Sequence, residues 1–230
     1  MNLTLVITLV FFAISVVLAL LAQKKVFRTL NTVFTTISLI LAIASVALYL
    51  DGQHVQSQLA GEKLFVLEQE GILIAGFVHA KDTPTFVQDL TPWKETFGKT
   101  AFETIRDGRL AFIATPNTFA RVESITLGDY TLPKETALKV ISAEDPIKTY
   151  KDEIRVLAKI PAEQDIALPL MTADELRGFL FASLISTYFE TTTPVVALNT
   201  HELDVQPTFI MLWLVKNMPP NWMPYLIKEG

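Results

Sequence analysis

The stretch LTLVITLVFFAISVVLALLA, residues 3–22, decides the architecture of this protein. It runs for twenty residues without a charged side chain, and only Thr4, Thr8 and Ser15 are polar. At about 1.5 Å per residue, a helix of this length is roughly 30 Å long, which matches the hydrocarbon thickness of a bilayer. The sequence therefore predicts a transmembrane helix at residues 3–22.

A cleaved signal peptide is the alternative interpretation of this N-terminus. A signal peptide has a basic start, a shorter apolar core and a cleavage site of small residues. Here the chain begins with Met1 and Asn2, the apolar run is long, and a second apolar run follows at residues 30–50. These features favour a two-helix transmembrane hairpin within residues 1–50, with spans at 3–22 and 30–50 and a connecting loop at 23–29.

The charges around the hairpin predict its orientation. The connecting loop holds Lys24, Lys25 and Arg28, whereas the outer flanks have no basic side chain until Lys63. Short loops rich in Lys and Arg stay in the cytoplasm. We therefore expect a multi-pass protein of the cytoplasmic membrane, with loop 23–29 inside and both termini outside.

The two spans also carry matching rows of small and polar residues. Antiparallel pairing would place Ser15 beside Ser38 and Phe12 beside Ala42, and small residues allow two helix backbones to approach closely. Coincidence is the alternative, because Ser, Thr and Ala are common in membrane helices. The predicted seam consists of Thr8, Phe12, Ser15 and Ala19 on the first span and of Asn31, Thr35, Ser38, Ala42 and Ser45 on the second.

Beyond the hairpin, the composition limits the partners of the chain. From Asp51 onward there are 16 basic and 24 acidic residues, and the chain has no cysteine. An acidic domain without a basic cluster is a poor ligand for nucleic acid, so none is expected. The missing cysteines rule out disulfides and thiolate chemistry. The lipid bilayer is the expected contact, together with a protein partner or a second copy of the chain.

The remaining residues predict a stalk at 51–62 and one extracytoplasmic domain at 63–230. Strands and helices alternate without a βαβ rhythm, which favours a membrane-anchored α+β protein with a mostly antiparallel sheet and two or more helices. Thr172 and Glu175 form a capping-box pattern that starts a helix running to about Phe189. The other predicted elements are a hairpin of 63–68 with 72–79, a helix from Thr91 to Gly108, a strand pair of 109–115 with 119–127, strands at 137–142 and 195–198, and a turn or short helix from Asp145.

Few residues suggest chemistry. His201 lies near Glu202 and Asp204 in a polar segment that follows a predicted strand. Such a group could form an acid–base or metal pair. A solvated turn is the favoured alternative, because Asn and Asp are common turn formers. Neither a cofactor motif nor a metal motif is found, so no cofactor is expected.

The C-terminal tail is unusually rich in large apolar side chains for a chain end. Trp213, Trp222 and Tyr225 are its most notable members. Three interpretations compete, of which the first is favoured: the tail completes the core of the domain, lies in the membrane interface, or binds a protein partner.

Taken as a whole, these patterns favour a non-catalytic function. We expect a membrane-anchored extracytoplasmic interaction or assembly module, which could be a subunit of a membrane complex. The alternative is an anchored extracytoplasmic hydrolase that uses the His201 region.

Overall fold

The computed structural model describes residues 10–17, 20, 31–80, 84–87, 106–127, 130–161, 166 and 171–222. The chain divides into two compact units. The first unit comprises Met1–Ala60 together with Thr208–Gly230, and the second comprises Gly61–Pro207. The C-terminal segment therefore groups with the N-terminal helices, whereas the sequence assigned it to the outer domain at 63–230.

Helix α2, which spans Asn31–Ala60, dominates the first unit. Within the described part of the chain, its segment Thr36–Ala60 is the one helix long and apolar enough to cross a membrane. Only 17% of its most apolar window is buried, whereas a core helix of a soluble domain is mostly buried. The helix continues past Leu50, where the predicted span ends, through Asp51 and Gly52, because a single glycine costs only about 1 kcal/mol in a helix. The predicted stalk is thus helical as far as Ala60.

Residues 10–17 form a helix, α1, that contacts α2 at one position of the predicted seam. The hydroxyl of Ser38 donates a hydrogen bond to the backbone carbonyl of Ser15 over 3.1 Å, and both side chains are buried. Phe12 is 58% exposed, and its pairing with Ala42 stays a prediction. The loop at 23–29 and the side chains of Thr8, Ala19, Asn31 and Thr35 lie outside the described residues, so the two-span hairpin stays a prediction.

The second unit, called the outer unit below because the sequence predicts it to lie outside the membrane, is an α+β domain. It is built on a five-stranded sheet of β1 (Lys63–Gln69), β2 (Ile72–His79), β3 (Pro84–Phe86), β4 (Leu110–Ala114) and β7 (Leu203–Gln206), in the order β3-β2-β1-β4-β7. The predicted hairpin of β1 and β2 is confirmed, and its turn lies at Glu70 and Gly71, which both have positive φ. Strand β1 pairs with β4 in parallel and the other three pairs are antiparallel, so the sheet is mixed. Two further strands, β5 (Ser124–Leu127) and β6 (Tyr130–Pro133), lie outside this sheet.

Strands occur within both predicted ranges 109–115 and 119–127, but their predicted pairing with each other is wrong. A 3-10 turn at Pro116–Phe119 redirects the chain after β4. Strand β5 then pairs with β6 in a separate two-stranded sheet, and β4 pairs instead with β1 and β7.

Two further predicted strands are helices. Residues 137–142 lie in α3, Lys134–Ser142, because Ala137, Val140 and Ile141 recur at helical spacing and are buried together. Residues 195–198 lie in α6, Pro194–Asn199, which begins with a hydrogen bond from the Val196 amide to the Thr193 hydroxyl. The helix predicted from Thr91 lies outside the described residues up to position 105.

Two helix starts occur where the sequence predicted them. Helix α4, Pro146–Leu157, is capped by Asp145, whose carboxylate accepts from the Lys148 amide over 3.0 Å. Helix α5, Ala173–Thr191, has the predicted capping box. The Glu175 amide donates to the Thr172 hydroxyl over 3.2 Å, and the Thr172 amide donates to the Glu175 carboxylate over 2.6 Å.

A buried arginine ties α5 to the end of α3. Arg177 donates hydrogen bonds to the backbone carbonyls of Ile141 over 3.2 Å and Ala143 over 2.8 Å, and to the Asp174 carboxylate over 2.7 Å. These carbonyls belong to the last turn and C-cap of α3, where backbone acceptors lack partners within their own helix. The cation also lies at the negative end of that helix dipole.

Candidate functional site

The outer unit contains an apolar pocket of about 480 Å³ between the β1–β2 hairpin and α5. Phe65 and Phe77 are directly opposite each other in the antiparallel register, and their rings stack with centroids 5.0 Å apart. Phe112 on β4 extends this aromatic row, since its ring stacks on Phe65 at 5.1 Å. The row gives the sheet face a rigid, apolar floor at the pocket.

Helix α5 supplies the opposite wall. Ala182, Ile185 and Phe189 line the pocket, and spacings of three and four residues place them on one face of the helix. The Phe189 ring meets Phe65 edge-on at 6.3 Å. A neighbouring face of α5, with Leu180, Leu184 and Tyr188, is buried in the core.

Three polar side chains line the same pocket. His79 lies at the end of β2, and Ser186 and Glu190 lie on α5. All three are exposed. Pockets of this size, with apolar walls and a few polar groups, are typical of sites for small ligands or for anchoring side chains of a partner. The sequence singled out His79 only as the end of a strand, and it did not indicate that α5 covers this hairpin.

The His201 segment has a structural role in this geometry. His201 is exposed and adopts a positive φ of 59° in the turn after α6. Glu202 accepts a hydrogen bond from the Tyr188 hydroxyl over 2.6 Å and forms an ion pair with Arg121 at 3.1 Å. Asp204 is exposed on β7, and its carboxylate accepts from the Val205 amide over 3.0 Å. Glu202, one of the two carboxylates that the sequence paired with His201, is therefore already engaged on both oxygens.

Tyr188 shows the electrostatic consequence of this arrangement. Burial, followed by the hydrogen bond and negative charge of Glu202, raises the pKa of Tyr188 well above its usual value near 10. The hydroxyl therefore stays protonated and continues to donate to Glu202. The backbone carbonyl of Glu202 also accepts a hydrogen bond from the Thr118 hydroxyl over 2.5 Å. Through Tyr188 and Thr118, Glu202 therefore links α5 to the 3-10 turn after β4. Across the described part of the chain, no group of three or more His, Asp or Glu is placed to hold a metal ion.

The aromatic residues of the tail form a second candidate surface, in the first unit. Helix α7, Ile210–Lys216, packs against α2. Trp213 on this helix is 53% exposed, and Trp222 in the 3-10 turn Pro220–Trp222 is 58% exposed. Tyr225 lies outside the described residues.

Comparisons with known proteins do not extend these observations. No model of a protein family, no curated protein and no solved structure matches this chain. The pocket beside α5 and the aromatic surface of the tail are therefore the features that bear on function.

Proposed function

We propose that this protein is a membrane-anchored extracytoplasmic interaction or assembly module, whose pocket receives an apolar segment of a partner protein. The pocket between the β1–β2 hairpin and α5 is the observation that carries the proposal. Its floor and wall include three aromatic rings, Phe65, Phe77 and Phe189, which are apolar and already held in place by their neighbours, so little side-chain entropy is lost when a partner binds. Glu190 and His79 supply hydrogen-bonding groups that would orient the entering segment.

The anchor in this proposal is the two-span hairpin. The helix Thr36–Ala60 supports one crossing, and the apolar run at 3–22 supplies the other. Because Lys24, Lys25 and Arg28 lie between them, we propose that the loop faces the cytoplasm and the outer unit lies outside.

The natural chain has no cysteine, so this orientation can be tested with single introduced thiols. A membrane-impermeant maleimide added to intact cells should label Asp152→Cys, an exposed position on α4, and should label Lys25→Cys only after lysis. Labelling of Lys25→Cys in intact cells, with Asp152→Cys protected, would reverse the proposed orientation.

The partner is tested by site-specific photocrosslinking of the full-length protein in its native membranes. A benzoylphenylalanine at Ser186, beside the pocket, should give a discrete protein adduct, whereas the same group at Asp152 should not. Ala182→Phe, which fills the pocket, should abolish the adduct, and Ala182→Ser should preserve it.

Two kinds of result from this experiment would contradict the proposal. Identical products from Ser186 and Asp152, or an adduct that survives Ala182→Phe, would show that the pocket does not select the partner. An adduct with lipid alone would indicate that the pocket binds an apolar small molecule and not a protein. A urea unfolding curve that matches the parent shows that Ala182→Phe remains folded.

A further inference from the structure

The tail helix α7 is fixed to α2 by two specific contacts within the first unit. The backbone amide of Met211, in the first turn of α7, donates a hydrogen bond to the Asp51 carboxylate over 2.8 Å. One turn further along α2, the His54 ring meets Phe209 edge-on with centroids 5.2 Å apart. The carboxylate thus satisfies one of the free amides of the α7 N-terminus and lies at the positive end of its dipole.

Helix α7 is apolar on more than one face. Met211, Leu212 and Val215 are buried, whereas Ile210 is 48% exposed and Trp213 is 53% exposed. The first charged side chain in this segment is Lys216, at the end of the helix. A helix that is hydrophobic all round is typical of a protein core or of a membrane. The exposed side chains of α7, Ile210 and Trp213, would therefore be unfavourable in water.

The position of α7 along α2 indicates which of these environments covers its exposed face. Its contacts lie at Asp51 and His54, and the residue just before them, Leu50, is 59% exposed. Exposed large apolar side chains continue down α2 through Val46 and Ile43. Asp51 is also the first acidic residue of the chain. The exposed apolar side chains of α7 therefore lie at the level of α2 where the exposed apolar side chains of the proposed span end.

We infer that α7 lies in the outer interface of the bilayer, with Ile210 and Trp213 in contact with lipid. Tryptophan favours this layer because its ring is apolar and its N–H can reach water. The hydrogen bond between the Met211 amide and the Asp51 carboxylate also gives both groups a partner. At the edge of the hydrocarbon, leaving either group without a partner would be costly. This inference rests on the proposed membrane anchor.

Helix α2 provides an internal depth scale for the test. All three tryptophans, Trp93, Trp213 and Trp222, are first replaced by Phe in the full-length chain. A single tryptophan is then placed at 213, at Leu50 or at Leu59, which is 41% exposed and about 13 Å further along the helix axis. The proteins are reconstituted in phosphatidylcholine vesicles with bromine at the 6,7 acyl positions. Quenching at 213 should match that at 50 and exceed that at 59 several-fold.

The outcomes separate the inference from the anchor on which it rests. If tryptophan at 50 is quenched but tryptophan at 213 is quenched no more than at 59, the anchor stands and α7 is not in the membrane. If tryptophan at 50 is not quenched, the anchor and the inference both fail.

A second measurement keeps the natural tryptophans, in case their joint replacement disturbs folding. A nitroxide on Ile210→Cys should collide more with oxygen than with a water-soluble nickel complex, and a nitroxide on Leu59→Cys should show the opposite preference. Equal preferences at the two positions would overturn the inference.

Discussion

The helices α5 and α7 begin in opposite ways. Helix α5 is started by Thr172 and Glu175, which lie three positions apart and bond to each other. Helix α7 is started by Asp51, which lies 160 positions away on another helix. The first cap joins residues that are close in the chain, whereas the second forms only when Asp51 and Met211 come together. Local and long-range capping thus place different demands on the rest of the fold.

The largest expected effect concerns Arg177, which adds a long-range contact to the locally capped helix. Arg177→Met should lower the free energy of unfolding by about 3 kcal/mol, because it leaves backbone carbonyls of α3 without a charged donor inside the protein. Urea unfolding of the full-length protein in mild detergent measures this loss. Lys139→Met, which removes an exposed ion pair with Glu153, is the control and should cost less than about 1 kcal/mol. Equal losses would mean that α5 needs only its local cap.

A smaller effect is expected at the other end of α5. Tyr188→Phe removes a hydrogen bond to the charged Glu202 and should cost about 2 kcal/mol near neutral pH. The pKa of Tyr188 is raised in the folded state, so above pH of about 10 an unfolded tyrosine releases a proton that the folded protein retains. The stabilising contribution of Tyr188 is therefore lost as pH rises above about 10. The difference in the free energy of unfolding between the parent and Tyr188→Phe should accordingly become smaller in alkali. A gap that widens above pH 10 would contradict this.

The local cap itself should contribute less. Thr172→Ala removes the acceptor for the Glu175 amide, and we expect a loss of about 1 kcal/mol in the same urea experiment. Thr172→Ser keeps the hydroxyl and should unfold like the parent. If Thr172→Ala also leaves the curve unchanged, the tertiary contacts of α5 suffice to start it.

The smallest effect on the outer unit should come from Asp51. Asp51→Ala should leave the urea midpoint of the outer unit unchanged, because Asp51 and α7 both belong to the first compact unit. The amides at 211–216 should nevertheless exchange with deuterium roughly five-fold faster, which corresponds to about 1 kcal/mol. Asp51→Asn retains an acceptor oxygen and should exchange more slowly than Asp51→Ala. Unchanged exchange in Asp51→Ala would show that packing alone holds α7 on α2.

The same distinction explains what the sequence could predict. The Glu70–Gly71 hairpin, the Asp145 cap and the Thr172 capping box depend on residues close in the chain, and the structure confirms all three. Residues 137–142 and 195–198 are short and apolar, so their state depends on what they pack against, and both were wrongly predicted as strands.

The pocket and the tail contacts belong to the long-range class. Phe65 and Phe77 become a pocket floor only because α5, more than a hundred residues later, covers the hairpin. No pattern within the tail shows that Met211 bonds to Asp51. The polar cluster around His201 was visible in the sequence, but the role of Glu202 follows from Tyr188 and Arg121, which are distant in the chain.

The outer unit, Gly61–Pro207, is inserted between two parts of the other unit and is covalently attached at both ends. One attachment leaves α2 after Ala60, and the other enters α7 just after Thr208 and Phe209. In the topology that we propose, a single proteolytic cut within this unit would leave one fragment joined to α2 and the other joined to α7, which we infer lies in the membrane interface. Release of the unit from the membrane would then require two cuts, one on each side, so a protease that recognises a single site could cut the protein without releasing it.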